Sequence, residues 1–402
     1  MKIDKKHAAE LFAQWKEICE ADNGGLWGID LHTPFMFIDE QRNVVANCAD
    51  GEGRFVADGD VFVGKFPEDM AFAATSVDVY GKSWGTMPWF MVETGHKDAV
   101  DTMIHEGFHC IQPKLFGKNK LQINNGHLNK PAARLLVLLE MRALLFAFEN
   151  EGEARKNAIA AALRFRENRM AADNKILDEA VNEIGEGTAV FTECKLTHTR
   201  EELIAKFTKD INTAANLDSM AHFSGYLLGA LLCFMIDELD PAAKRAFRAD
   251  TIMADILQKA AGITEIPAFE AIDTQLYGHD EIAEQIAAKE KKNAEMMAGF
   301  LEKFTKKPTL TILGEGGGGI RGQIIPVDGL GTVLKGRYEY HGEIGRMIIE
   351  HGEALSVEKN VYKVSAENMR QEGDRLIGID WEIDLAVGHK LVQDGENFTI
   401  SM

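Results

Sequence analysis

At 402 residues the chain is too long for one ordinary hydrophobic core, and a prior of roughly 150 residues per domain divides it into two or three. Hydrophobic residues at 46% and charged residues at 27% give the balance of a folded globular protein and exclude a disordered or fibrous chain. The net charge of -19, from 63 acidic against 44 basic residues, argues against nucleic acid or an anionic membrane as a partner and leaves peptide-like or small ligands.

The chain opens with apolar residues at helical spacing (Ala8, Leu11, Phe12, Trp15, Ile18) among charges, which predicts an amphipathic helix and lacks the apolar stretch of a secretory signal. From Leu26 to Phe90, Asp, Gly and Pro turn signals separate five short strands, predicted at Trp27 to Leu31, Phe35 to Ile38, Val44 to Asn47, Val61 to Val63 and Ser76 to Tyr80. These strands suggest a small, mostly antiparallel sheet, and with the first helix they define an expected N-terminal region, residues 1–96.

Helical periods then dominate residues 97–307. The predicted helices are Asp98 to Gln112, Pro131 to Phe148, Glu153 to Ala171, Lys175 to Lys195, Glu201 to Ala214, Ser219 to Leu239, Ala242 to Ala261 and Glu281 to Phe304. The longest apolar run, Tyr226 to Ile236, falls short of the roughly 20 residues needed to cross a bilayer and reads as a buried core helix. Beyond Pro308, residues 308–402 turn rich in Gly and β-branched residues. Gly314 to Gly319 reads as a flexible connection, since it lacks the G-K-[ST] ending of a phosphate loop. Strands are predicted at Gln323 to Val327, Gly331 to Leu334, Arg346 to Ile349, Val361 to Val364, Ile377 to Ile383 and Asn397 to Ile400, which would form a small β-domain of sandwich or barrel type. The expected class is therefore α+β. Five cysteines, odd in number and without a C-x-x-C pair, indicate neither a disulfide scaffold nor a thiolate metal site, and a reducing cytoplasm is the expected compartment.

One constellation carries chemistry. His105-Glu106-Gly107-Phe108-His109 is an HExxH motif inside a predicted helix. Residues four apart share a helical face, so both imidazoles can reach one zinc ion, and Glu106 lies beside them as the general base that takes a proton from a metal-bound water. Zinc also needs a third protein ligand. Glu183 and Glu186, three apart in a predicted helix, are both candidates. The flanking Gly185 and Gly187 are costly in a helix unless something packs closely there. Glu140 sits in an otherwise apolar helix, where an unpaired carboxylate is expensive. It would either orient His105 or His109 or pair with Arg142 or Arg134. His127 and Tyr226 are candidates for stabilising an oxyanion, against the plainer roles of loop cap and core aromatic. Gln112, one turn past His109, is placed to hydrogen-bond near the site. Cys110 reads as a small hydrophobe.

Gly185 to Glu193 resembles the E-G-x-A-x-Y-T segment that supplies the glutamate ligand of glutamate-type HExxH zinc peptidases. The order of motifs resembles more closely a bacterial zinc metallopeptidase family in which H-E-x-F-H-x-x-Q is followed by N-x-H-L, E-x-R-A-L and N-E-G-L-A-E-Y-T. Here the corresponding stretches are His105 to Gln112, Asn125 to Leu128, Glu140 to Leu144 and Gly185 to Thr192. The resemblance implies a zincin-like helical core under a β-rich N-terminal region, a β-rich C-terminal part, and Glu186 as third ligand with Glu183 as its alternative. Gly185 stands where the family has Asn, and Phe191 where it has Tyr, so any role of that hydroxyl is absent or served elsewhere. The expected function is a zinc-dependent metallopeptidase acting on a peptide or small amide. A zinc amidase or esterase of other substrates, and a non-catalytic binding or structural protein on a degenerate peptidase fold, are the alternatives.

Overall fold

The computed structural model describes residues 2–94, 98–118, 124–221 and 223–401; the expected boundary between residues 96 and 97 lies outside them. The fold is mixed α+β and divides into two compact units, residues 1–287 and 288–402.

In the first unit, helix α1 (Lys5–Asp22) starts at Asp4, whose carboxylate caps the amides of Lys6 and His7, and buries Ala8, Leu11, Phe12, Trp15 and Cys19. A six-stranded sheet follows, built from β1 (Phe35–Ile38), β2 (Asn43–Ala46), β3 (Val56–Asp58), β4 (Val61–Lys65), β5 (Thr75–Val79) and β6 (Lys82–Pro88). Its order is β3-β4-β2-β1-β6-β5, and only the β1–β6 pair is parallel. Successive side chains of a strand point to opposite faces. Phe35 and Phe37 of β1 accordingly join the main core with α1, while Met36 and Ile38 join Val44, Phe55, Phe66 and Trp84 in a second cluster. The strand expected at Trp27 to Leu31 is absent. Gly28 turns the chain at a φ of 75°, and the Trp27 ring lies against Phe108, Phe116 and Phe191 with its Nε1 donating to Thr192.

The helices of this unit are α2 (Trp89–Glu93), α3 (Ala99–Phe116), α4 (Pro131–Glu149), α5 (Gly152–Ala172), α6 (Ile176–Asn182), α7 (Thr188–Thr197), α8 (Arg200–Ala214), α9 (Phe223–Leu239) and α10 (Met253–Ala260), with α11 (His279–Thr305) beginning in it. Two predicted helices are corrected. The one expected from Lys175 to Lys195 is interrupted by a π-helical turn, Glu183–Gly187, and the one from Ala242 to Ala261 splits into a 3-10 turn, Pro241–Ala246, and α10. Helix α9 is buried along nearly its whole length, and no helix among the described residues is long and apolar enough to cross a membrane. All five cysteines are unpaired; Cys19, Cys110, Cys194 and Cys233 are buried and Cys48 half-buried. Burial pushes the Cys110 thiol up to about 11 and, with Asp30 and Asp22 nearby, that of Cys19 to about 12.

The second unit holds β7 (Thr309–Leu313), β8 (Gly316–Val327), β9 (Gly331–Gly342), β10 (Gly345–Ile349), β11 (Glu353–Glu358), β12 (Val361–Ser365), β13 (Arg370–Glu372), β14 (Arg375–Ile377), β15 (Trp381–Leu385), β16 (Lys390–Asp394) and β17 (Asn397–Ser401). They form one hydrogen-bonded sheet in which β17 and β7 are parallel and all other pairs antiparallel. Strand β9 pairs with β8 along one edge and with β10 and β11 end to end along the other. The flexible connection expected at Gly314 to Gly319 is largely strand instead, since β8 starts at Gly316. A Cβ at Gly322 would lie 2.1 Å from the carbonyl oxygen of Lys335, so glycine here serves a close approach of two strands.

Candidate metal centre

Helix α3 is capped by Asp98, which accepts from the amides of Val100 and Asp101, and is laid against β5 and β6. Gly107 of the HExxH motif permits this. A Cβ there would lie 2.7 Å from the Trp15 ring and 2.8 Å from Thr33 Oγ1, and one at Gly85 of β6 would lie 3.1 Å from the Gly107 nitrogen. The buried faces of the motif thus fix the helix, and His105 and His109, four residues apart, project together from it with ring centroids 4.8 Å apart.

Each imidazole has its outer nitrogen occupied. His105 Nδ1 is 2.9 Å from Glu193 Oε2, and His109 Nδ1 is 2.7 Å from Gln112 Oε1. The tautomer this favours leaves both Nε2 atoms as lone-pair donors facing Glu186. Glu186 Oε2 lies 3.4 Å from His105 Nε2 and 3.5 Å from His109 Nε2, is buried, and has no hydrogen-bond partner. The two imidazoles face this oxygen. Two ligand atoms each bound to a tetrahedral zinc sit roughly 3.3–3.4 Å apart, so the two nitrogen–oxygen distances are compatible with groups sharing one ion. The two nitrogens and one oxygen, all within 4.8 Å of one another, also suit zinc chemically. The residues fit the metal that the motif implies.

Without a metal, the proton balance of the cluster is that of an ion pair rather than of free lone pairs. Burial opposes charge on Glu186, but the two imidazoles hold its carboxyl well below the usual range. Burial likewise opposes a proton on His105, yet Glu186, Glu193 and Glu106 push its pKa up to about 10. In the absence of a metal, then, a proton on His105 serves as the counterion of Glu186.

Glu186 reaches the histidines from the π-helical turn. Gly187 brings that turn against α9: a Cβ at Gly187 would lie 2.4 Å from Gly229 Cα, and one at Gly229 would lie 2.5 Å from the Glu183 carbonyl oxygen. The close approach expected from the two glycines is made by Gly187 alone, because a Cβ at Gly185 would meet nothing within 4 Å. Gln112 ties the turn to α3 through its Nε2, which donates to the Gly185 carbonyl at 2.5 Å and to Thr188 Oγ1 at 2.9 Å.

A cleft of about 810 Å³ opens beside His105, lined also by Glu106, Glu193 and Tyr226, by Val190, Phe207, Leu217 and Phe223, and by Asp98, Asp101, Asp210 and Lys206; His109 and Glu186 do not line it. Glu106 is buried at its edge. The Tyr226 ring stacks on His105 at 5.7 Å with an interplanar angle of 5°, and burial together with the Glu186 charge raises its pKa, keeping the phenol protonated. Two larger or comparable hollows lie elsewhere and contain neither histidine.

Other candidates lie apart from the cleft. His127 does not line it; its Nε2 meets Glu179 Oε1 at 2.7 Å. Glu183 points away from the histidines and takes a bidentate contact from Arg166 at 2.6 and 3.2 Å. Glu140 touches neither histidine nor the expected Arg142 and Arg134, but accepts from Arg166 and Arg169 of α5, each at 2.7 Å. Arg142 binds Glu281, and Arg134 donates to the carbonyls of Ala215 and Leu217. Phe191 is fully buried against Phe234 and Trp27, so a tyrosine hydroxyl there would sit in the core. Glu193, the partner of His105, had no role assigned from sequence; its place two helical turns after Glu186 was the available signal. No protein-family model, curated protein or solved structure matches the chain.

Proposed function

We propose that the chain is a single-zinc hydrolase with a zincin-like core, acting as a metallopeptidase on peptide bonds. The observation that carries this reading is the convergence of His105 Nε2, His109 Nε2 and the buried Glu186 Oε2, which lies 3.4 and 3.5 Å from the two imidazole nitrogens and accepts no well-aligned hydrogen bond, while the opposite ring nitrogens are already bound. His105, His109 and Glu186 would hold the zinc, with Glu193 and Gln112 fixing the rings. When bound, zinc lowers the pKa of a water and polarises a carbonyl oxygen.

The other steps belong to side chains. Glu106, buried at the cleft edge next to His105, accepts the proton of the attacking water on its carboxylate and returns it to the leaving amine. Tyr226, held protonated and stacked on His105, donates its phenolic hydrogen to the oxygen on which negative charge develops. The apolar wall of Val190, Phe207, Leu217 and Phe223 accommodates a substrate side chain, and the carboxylates of Asp98 and Asp101, with Asp210 already paired to Lys206, favour neutral or cationic substrates over acidic ones. Five unpaired cysteines suit a reducing, cytoplasmic setting.

The test is Glu106→Gln. It is expected to retain one zinc per chain by plasma mass spectrometry and to lose peptide hydrolysis by roughly 10²–10⁴-fold, as for a general base. Undiminished turnover by that variant sinks the mechanism. A panel of peptides, small amides and esters separates peptidase from amidase or esterase action. Zinc uptake with no hydrolysis of any of them would leave the binding-protein reading in its place.

A further inference from the structure

Five charged side chains are buried together beneath the centre. Arg166 and Arg169, three residues apart on α5, face Glu140 of α4, Glu179 of α6 and Glu183 of the π-helical turn, every one of them almost fully buried. Glu140 receives one bond from each arginine at 2.7 Å, Arg169 Nη2 reaches Glu179 at 2.7 Å, and Arg166 alone reaches Glu183. Such a cluster is no better for stability than apolar residues of the same volume, because desolvating the ions offsets their attraction. What it does supply is direction: a bidentate guanidinium fixes a carboxylate in both position and plane.

That direction matters at Glu183, the first residue of the π-helical turn from which Glu186 projects three residues later. A π-turn takes up one residue more than an α-turn, so the residues after it face a different way than an unbroken helix would put them. On one side the turn is held by Gln112, which already serves His109. On the other it is held by Arg166.

We propose that Arg166 is a positioning residue for the metal centre: by gripping Glu183 it fixes the π-helical turn so that Glu186 points at His105 and His109. This rests on the reading of the three as zinc ligands. It also gives the buried glutamates 140 and 183 a shared purpose, Glu140 holding the guanidinium that holds Glu183.

The experiment compares Arg166→Lys, Glu183→Gln and, as a control, Arg169→Lys, which disturbs the same cluster at the arginine that does not touch Glu183. Each full-length chain is titrated with zinc by chelator competition and with Co²⁺ by visible absorption, with far-ultraviolet circular dichroism as the check on folding. Arg166→Lys and Glu183→Gln are expected to bind zinc roughly 10–100-fold more weakly than wild type and to give an altered cobalt spectrum. Arg169→Lys is expected to lose thermal stability while keeping the wild-type zinc affinity and spectrum. Folded Arg166→Lys with unchanged affinity and spectrum, or equal losses in Arg166→Lys and Arg169→Lys, overturns the proposal while leaving the metal centre standing. Should Glu183→Gln not fold, the lysine pair decides. A wild-type chain that takes up neither ion overturns the metal centre itself, and the proposal with it.

Discussion

Gly187→Ala puts the geometry of the π-helical turn to a direct test. The added methyl would sit 2.4 Å from Gly229 Cα, 2.5 Å from Gly229 C and 2.8 Å from the Ala230 nitrogen, all of them backbone atoms that cannot rotate aside. Restoring ordinary contact requires the turn and α9 to separate by roughly 1 Å, an overpacking strain of about 1–3 kcal/mol. For a unit of this size that corresponds to a fall in Tm of roughly 2–5 °C. The same displacement moves Glu186, and a ligand atom tolerates only about 0.2 Å, so zinc affinity should fall with stability. Gly185→Ala is the matched comparison: open space surrounds that position and its φ is not positive, so replacing a helical glycine should stabilise by roughly 0.5–1 kcal/mol. Thermal melts and zinc titrations of both variants provide the readout. A Gly187→Ala protein that melts and binds zinc like wild type, or a Gly185→Ala protein as damaged as Gly187→Ala, would refute the reasoning.

Zinc affinity should rise with pH. His105, at about 10 without metal, must release its proton on binding, so affinity should increase about tenfold per pH unit between pH 6.5 and 8.5; calorimetry in buffers of different ionisation enthalpy should show that release, and its absence would count against the site. The corresponding stabilisation of the metal-free fold is fully present below the unfolded imidazole pKa and is lost as pH rises through about 10, which urea melts across that window would register. Glu193→Ala removes the acceptor from His105 Nδ1 and should weaken zinc binding roughly 10–100-fold without unfolding the chain, as measured by chelator competition. Tyr226→Phe should keep its zinc and lose roughly 10²–10³-fold in kcat if the phenol stabilises developing charge; unchanged kcat would assign the ring to packing alone.

The parts of the site legible in the sequence were those set by local spacing. His105, Glu106 and His109 share one turn of one helix, so spacing along the chain reveals them, whereas spacing leaves Glu183 and Glu186 as alternatives and only the family resemblance prefers Glu186. The partners of Glu140 were not legible in this way. Arg166 and Arg169 lie 26 and 29 residues away, whereas the partners expected, Arg134 and Arg142, are close in sequence. The π-helical turn likewise left no trace, since its extra residue is stabilised by Arg166, Gln112 and the backbone of α9, all distant in sequence. In the fold, the long uninterrupted helices α4, α5, α8 and α11 emerged nearly at their bounds because their apolar periods are long, while the short α2 and the breaks before α7 and α10 did not. Strands β3 and β13, short and exposed throughout, have no apolar alternation to announce them. Trp27 to Leu31 misled for the opposite reason: it alternates like a strand, but its large ring is used to plug a gap between helices.

The unpaired cysteines make the first unit its own reporter. Cys19, Cys110, Cys194 and Cys233 lie on α1, α3, α7 and α9, each buried and each with a thiol pushed up by burial, so alkylating reagents reach them only when the surrounding helix opens. Labelling rates read cysteine by cysteine would therefore give four local opening constants without any engineered probe. Those for Cys110 and Cys194, on the helices that carry the HExxH motif and Glu193, should slow most when zinc is added, turning each thiol into a clock for the metal's grip on its helix.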